Sequence, residues 1–206
     1  MHVIGTVGLP GSGKGEAATV AADVGIPVVV MGDVIRAECR RRGLDPAEHH
    51  GRIACALREE EGDDAIAART LPRIREAAAD SDREDATVLI DGLRSTVELA
   101  RFREAFGDEF TLVAIRAPFE LRAERLDERG RDVSDADLES LRERDARERD
   151  LGLGETLDRA DAEIDNTGSL AAFRARVREV LGADDGDGPV TDPESAGSPN
   201  LGGDGA

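Results

Sequence analysis

The sequence predicts an α/β fold built on a five-stranded parallel sheet, from three features of its 206 residues. Short β-branched apolar runs recur along the chain, a helical stretch follows each of them, and a glycine-rich loop joins the first run to the first helix. Apolar strands that alternate with helices build parallel sheets, and they read as continuous apolar runs because helices cover both faces. Residues 3–7 are the first run and break into GLPGSGKG; residues 15–22 then read as an alanine-rich helix. A second run at 27–31 leads through Gly32 and Asp33 into a helical stretch ending in Arg40, Arg41, Arg42 and Gly43, a helix stop. Further buried strands are expected at 87–90, followed by Asp91, at 110–115 and at 162–164. Ligands in such sheets sit beyond the carboxyl ends of the strands, which puts the glycine-rich loop, Asp33 and Asp91 on one edge.

Two stretches break the alternation. Residues 44–83 are charged and helical in pattern, and residues 129–153 are dense in Arg, Asp and Glu. They read either as ordinary solvated helices or as an acceptor-side insert and a lid that close over ligands. Residues 183–206, rich in Gly, Asp, Pro and Ser, read as an acidic disordered tail, which leaves one domain at 1–182.

Composition narrows the partners. A formal charge of -18 with 2% aromatic residues repels nucleic acid and anionic membranes and supplies little stacking surface, so neither is an expected partner. Lys14 is the only lysine among 27 basic residues. Heavy acidity with scarce lysine suits a protein adapted to high salt, where counterions screen surface repulsion. Cys39 and Cys55 have neither disulfide-framework nor zinc spacing. No apolar run reaches membrane-spanning length, and a cytoplasmic location is expected. His49 and His50 lie in a polar stretch without metal or catalytic spacing and read as exposed.

The pattern GxxxxGK carries the chemistry. Its glycines let the chain turn successive amides onto an anion, and the helix behind it adds the positive end of its dipole. Gly8, Leu9, Pro10, Gly11, Ser12, Gly13, Lys14 and Gly15 therefore form a phosphate-binding loop (P-loop) for a nucleoside triphosphate, with Lys14 on the outer phosphates. Where many such loops place a magnesium-binding Ser or Thr this chain has Gly15, followed by Glu16, which reads as a helix-start carboxylate or as a magnesium group. Asp91 ends a buried strand and reads as the carboxylate that holds magnesium waters.

These motifs resemble those of adenylate kinases, in whose loops glycine follows the lysine and a hydroxyl residue commonly stands at the position of Glu16. MGDVIR, residues 31–36, is similar to the GDxxR segment with which adenylate kinases bind the acceptor nucleotide, implying that Arg36 grips an acceptor phosphate. Asp33 then reads as a helix cap or, as in dephospho-coenzyme A kinases, as a general base. DGLR, residues 91–94, stands one residue short of the DGxPR of monophosphate kinases, and the resemblance makes Arg94 a phosphate ligand. Residues 115–131 look like the strand, turn and helix before the lid of dephospho-coenzyme A kinases, with Arg125, Arg129 and Arg131 as basic candidates and Arg144 and Arg147 as a second pair. IDNTGS, residues 164–169, resembles the loop that passes the adenine in those kinases. Residues 1–181 as a whole are most similar to an archaeal P-loop kinase-like (AAA/adenylate-kinase-like ATP-binding) family related to both. The resemblance implies a three-layer P-loop NTPase fold that uses ATP and Mg2+. It implies either a kinase acting on a small phosphorylated metabolite, a nucleoside monophosphate or dephospho-coenzyme A, or a regulatory ATP-binding protein or slow ATPase without such an acceptor.

Overall fold

The computed structural model describes residues 1–81, 86–127, 135–150 and 152–183. Its elements in chain order are β1 (His2–Val7), α1 (Lys14–Asp23), β2 (Val28–Val30), α2 (Gly32–Arg41), α3 (Pro46–Glu61), α4 (Ala65–Ala79) and β3 (Thr87–Asp91). They continue with α5 (Thr96–Phe106), β4 (Phe110–Arg116), α6 (Phe119–Asp127), α7 (Asp135–Asp150), α8 (Leu153–Asp158), β5 (Ala162–Asp165) and α9 (Leu170–Val180). All five expected strands are present, joined in the parallel order β2-β3-β1-β4-β5. The order reverses beside β1, so the crevice at the carboxyl end of the sheet opens where β1 hands the chain to the glycine-rich loop.

Alternation along the strands explains why each run is apolar throughout. Val3, Val7, Val88, Ile90, Leu112 and Ala114 enter one buried cluster, with residues of α2, α3, α4, α5 and α8. Ile4, Leu89, Val113, Ile115 and Ile164 enter the other, with Ala17, Val20 and Ala21 of α1 and Phe173 and Val177 of α9. Successive side chains of a strand point to opposite faces, so two covered faces require apolar residues at both parities. Of the stretch 44–83, α4 lies in the sheet-covering layer: Ile66, Ala67, Leu71 and Ile74 are buried, and the helix packs on β2 and β3. No helix among the described residues is long and apolar enough to cross a membrane. The tail at 184–206 lies outside the described residues.

A buried carboxylate ties the helices of the β2 side together. Glu38, with a side chain 2% exposed, receives Arg41 at 2.6 Å, Arg42 at 2.6 Å and Arg69 of α4 at 3.1 Å. The hydrogen bond from Arg41, aided by those from Arg42 and Arg69 and opposed by burial, holds its carboxyl well below the ordinary 4.5. A depressed carboxyl pKa contributes stability above the unfolded value, and that contribution disappears as pH falls through the folded one. Glu38→Gln is therefore expected to lower the melting temperature at pH 7 and to flatten the acid limb below pH 4.5. Thermal melts from neutral to acid pH check this; superimposable curves would remove Glu38 as the tie.

Candidate functional site

The loop between β1 and α1 takes its shape from two glycines. Gly11 and Gly13 have φ of 79° and 117°, a region in which a side chain clashes with its own backbone. Neighbours close in as well: a Cβ on Gly11 would lie 2.8 Å from the carbonyl oxygen of Arg122, and one on Gly13 would collide with Nδ2 of Asn166. The Ser12 N–H donates to the Leu9 carbonyl at 3.1 Å, closing the turn. Lys14 folds back over it, its Nζ donating to the carbonyls of Gly8 at 2.5 Å and Leu9 at 3.2 Å. Burial lowers the Lys14 pKa from 10.5 to about 8; the charges of Asp91 and Glu148 oppose the shift, and those of Arg94 and Arg144 add to it. Four charged groups from three parts of the chain, β3, the turn after it and α7, thus act on one amine. Asp91 ends β3 beside β1, where Thr6 Oγ1 donates to its Oδ1 at 3.5 Å and to the Ile90 carbonyl at 3.1 Å.

Over the loop runs α6. Arg122, 2% exposed, donates to the carbonyls of Ala117 at 3.2 Å and Pro10 at 2.9 Å. It also forms a two-pronged pair with Asp145 of α7 at 3.1 and 2.5 Å. Arg125, one turn on, donates to the carbonyl and Oδ1 of Asn166 at 2.9 and 3.3 Å, and Asn166 donates from Nδ2 to the Ser12 carbonyl at 2.8 Å. Glu148 of α7 pairs with Arg94 at 2.9 Å. Positions 145 and 148 lie three apart on the helix and share a face, so α7 presents two carboxylates to two arginines at the loop. Arg122 and this pair of acids are functional candidates that the sequence did not single out.

The β2 side of the loop carries a second basic group. Arg36 pairs with Asp33 at 2.7 Å. His50 of α3 is half-buried rather than exposed, because α3 packs back onto α2. Its pKa is lowered by burial, then by the charges of Arg94 and Arg36, and a hydrogen bond to the Gly32 backbone works the other way. The expected cap role of Asp33 does not hold: α2 begins at Gly32 with Met31 as N-cap, which places Asp33 within the first turn.

Other candidates lie elsewhere. Glu16 sits in the first turn of α1 and pairs with Arg174 of α9 at 2.7 Å, tying two helices on one face of the sheet. Arg147 pairs with Glu143 on the surface of α7 at 3.5 Å. Arg129 and Arg131 lie outside the described residues. On the β4–β5 flank, opposite His50, a cavity of about 520 Å³ is lined by Leu9, Ser12, Arg116, Arg122, Leu157 and Thr167, among others.

The glycine loop, the strand-end aspartate and the sheet order together describe a P-loop kinase-like fold, and comparison with known proteins agrees. The profile of the AAA domain family matches residues 7–142. A UPF0200 protein of Halobacterium salinarum is 59% identical over 184 residues, covering 89% of this chain and 94% of its own. This chain belongs to the UPF0200 family of AAA-domain proteins. Another member, from Methanosarcina mazei, is 44% identical over 182 residues, covering 88% of this chain and 94% of its own. Among solved structures, TT1252 from Thermus thermophilus shares the fold with a TM-score of 0.59 at 20% identity, over 90% of this chain and 98% of that one.

The residues of this UPF0200 protein fit a nucleotide. Gly11 and Gly13 let Arg122 and Asn166 pack against the back of the loop, and two buried polar atoms beside it, Ser12 Oγ and Arg125 Nη1, have no hydrogen-bond partner in the fold. Buried polar atoms without partners are costly, and a bound ligand is one way to satisfy them. Among the described residues no three His, Cys, Asp or Glu side chains gather into a metal cage. Magnesium in phosphoryl-transfer sites needs only one or two carboxylates besides phosphate oxygens and water, and Asp91 meets that requirement.

Removing Asp145 would leave the Arg122 guanidinium buried without its counter-charge, a loss of about 3 to 5 kcal/mol. Asp145→Ala is expected to destabilise the fold by that order in urea melts. A loss under ~1 kcal/mol would mean that the pair holds nothing together.

Proposed function

We propose that this protein is a kinase that transfers the γ-phosphoryl group of ATP to a small phosphorylated acceptor, a nucleoside monophosphate or dephospho-coenzyme A. The observation that carries the reading is the placement of Lys14 between two flanks: a cavity on the β4–β5 side and the basic group Arg36, Arg94 and His50 on the β2–β3 side. A loop that only held and hydrolysed a nucleotide would need no second basic site beside its lysine. Bound ATP with magnesium supplies the transferable group and offsets part of its charge.

The chain's own residues then divide the work. The loop amides from Gly8 to Gly15 and the Lys14 ammonium hold the donor phosphates, and Asp91 holds magnesium through its waters. Arg36 and Arg94 orient the acceptor's acidic group by forked hydrogen bonds. Asp33, bonded to Arg36, holds that fork in place and is the carboxylate we assign to receive a proton from the acceptor. Arg125 and Arg129 are the arginines we assign to the charge that spreads over the transferred oxygens. The segment at 129–153 serves as the lid, and α3 forms the acceptor-side wall.

The reading is tested by following ADP formation from ATP and magnesium in high-potassium buffer, with nucleoside monophosphates and dephospho-coenzyme A presented singly. One acceptor is expected to raise turnover to the order of 1 to 100 s⁻¹, with the acceptor recovered phosphorylated. Slow hydrolysis of equal rate across the panel would contradict it and favour a regulatory ATPase.

A further inference from the structure

His50 stands out once Arg36 and Arg94 have been placed. It projects from α3, an element that no motif of the sequence connects with phosphate chemistry, yet its imidazole lies within the field of the two arginines assigned to the acceptor. Gly32 marks the spot: a Cβ there would lie 3.1 Å from Nη1 of Arg36 and 3.5 Å from Nε2 of His50. Arg94 links this group to the loop, because its charge bears both on His50 and on Lys14. Arg36 comes from α2, Arg94 from the turn after β3 and His50 from α3: Arg36 and His50 gather about Gly32, and the charge of Arg94 reaches both His50 and the lysine.

We propose that His50 completes the acceptor site as the third member of an anion pocket for a phosphomonoester, taking one proton from solvent as the phosphate binds. The inference rests on the kinase reading only in assigning this pocket to the acceptor. Two guanidinium forks and an imidazolium offer more donors than a carboxylate has oxygens to receive, whereas a phosphate dianion presents three oxygens and two charges. The charges acting on the imidazole are those of Arg94 and Arg36, together with the Gly32 backbone of α2; α4, which also packs on α3, adds none among the described residues. The two carboxylates closest in the network, Asp33 and Glu148, are each engaged by one of these arginines. With no acid of its own, the ring is biased toward its neutral form in the empty pocket, and the Gly32 backbone takes one of its nitrogens. A bound dianion reverses the local field, so a second proton becomes favourable and places a donor on the other nitrogen.

The sign follows directly. Because phosphate raises the pKa of His50, phosphomonoester affinity is greatest below the free-state value and falls as pH rises through the bound-state value. The second ionisation of the phosphate near pH 6 acts in the opposite sense, so the imidazole is best observed itself. The chain has three histidines, and His50→Gln assigns the relevant signal in long-range ¹H–¹⁵N spectra of the full chain. With ADP and magnesium present, the probes are AMP, CMP, dephospho-coenzyme A and inorganic phosphate, with adenosine and acetate as controls lacking the phosphate group. The His50 midpoint is expected below 6.5 in the empty pocket and about one unit or more higher with a phosphomonoester, with neither control moving it.

His50→Gln is expected to weaken the phosphomonoester by about 10- to 100-fold. His50→Arg is expected to restore binding with only the pH dependence of the phosphate's own ionisation, and the ATP-induced thermal shift reports that each variant is folded. A His50 signal that stays in place while a phosphomonoester binds, or the failure of every phosphate probe to bind, overturns the inference. Acceptor-dependent turnover with an indifferent His50 would overturn it and leave the kinase standing. A responsive His50 without turnover would keep the pocket and remove the kinase.

Discussion

A lysine ammonium must remain charged inside a loop that gives it little water, and much of the surrounding architecture answers that requirement. Moving the Lys14 pKa from 10.5 to about 8 places roughly 3 kcal/mol against the folded, protonated state at neutral pH. That disadvantage is relieved as pH climbs from about 8 to 10.5, or when phosphate binds and supplies counter-charge. The carbonyls of Gly8 and Leu9 and the nearby carboxylates Asp91 and Glu148 make the empty state tolerable without neutralising it. In a chain whose other Lys and Arg positions are all arginine, the loop holds the one compact ammonium, whose three donors radiate from a single point.

The helices above the loop extend the same logic. Asp145 and Glu148 of α7 stand opposite Arg122 and Arg94, where the phosphates of a bound nucleotide would add more negative charge. Arg122 spans the loop carbonyl of Pro10 and the α7 carboxylate, so a shift of α7 is felt at the loop through one planar group. A fully buried arginine with four of its N–H groups engaged is costly to move, and it joins the part of the chain beyond α6 to the phosphate cradle.

How much of this was legible depended on whether a feature is local in sequence. The five strands are, because two covered faces demand uninterrupted apolar runs, and so is the loop, because its glycines and lysine lie within eight residues. Arg122 is not: it sits in a run dense with Arg and Glu, and only the crossing of α6 over Gly11 distinguishes it from its neighbours. His50 is not either, since a histidine in a polar stretch acquires meaning only when α3 packs back onto α2. The cap reading of Asp33 failed by two residues, because α2 starts at Gly32 with Met31 as its cap, and helix ends are set by the turn before them. In α4 the buried face of Ile66, Leu71 and Ile74 was masked by the charges around it, which made a sheet-covering helix read as part of an insert. Glu16 had two readings, and its partner Arg174 lies 158 positions away, beyond any local pattern.

The central claim, that Lys14 is held at a cost in the empty protein in order to bind phosphate, is tested most directly by Lys14→Met in thermal melts with and without ATP and magnesium. The account predicts that the empty variant melts no lower than the wild type at pH 7 while the ATP-induced rise in melting temperature is lost. A variant that melts lower when empty and still gains the full rise with ATP would contradict it.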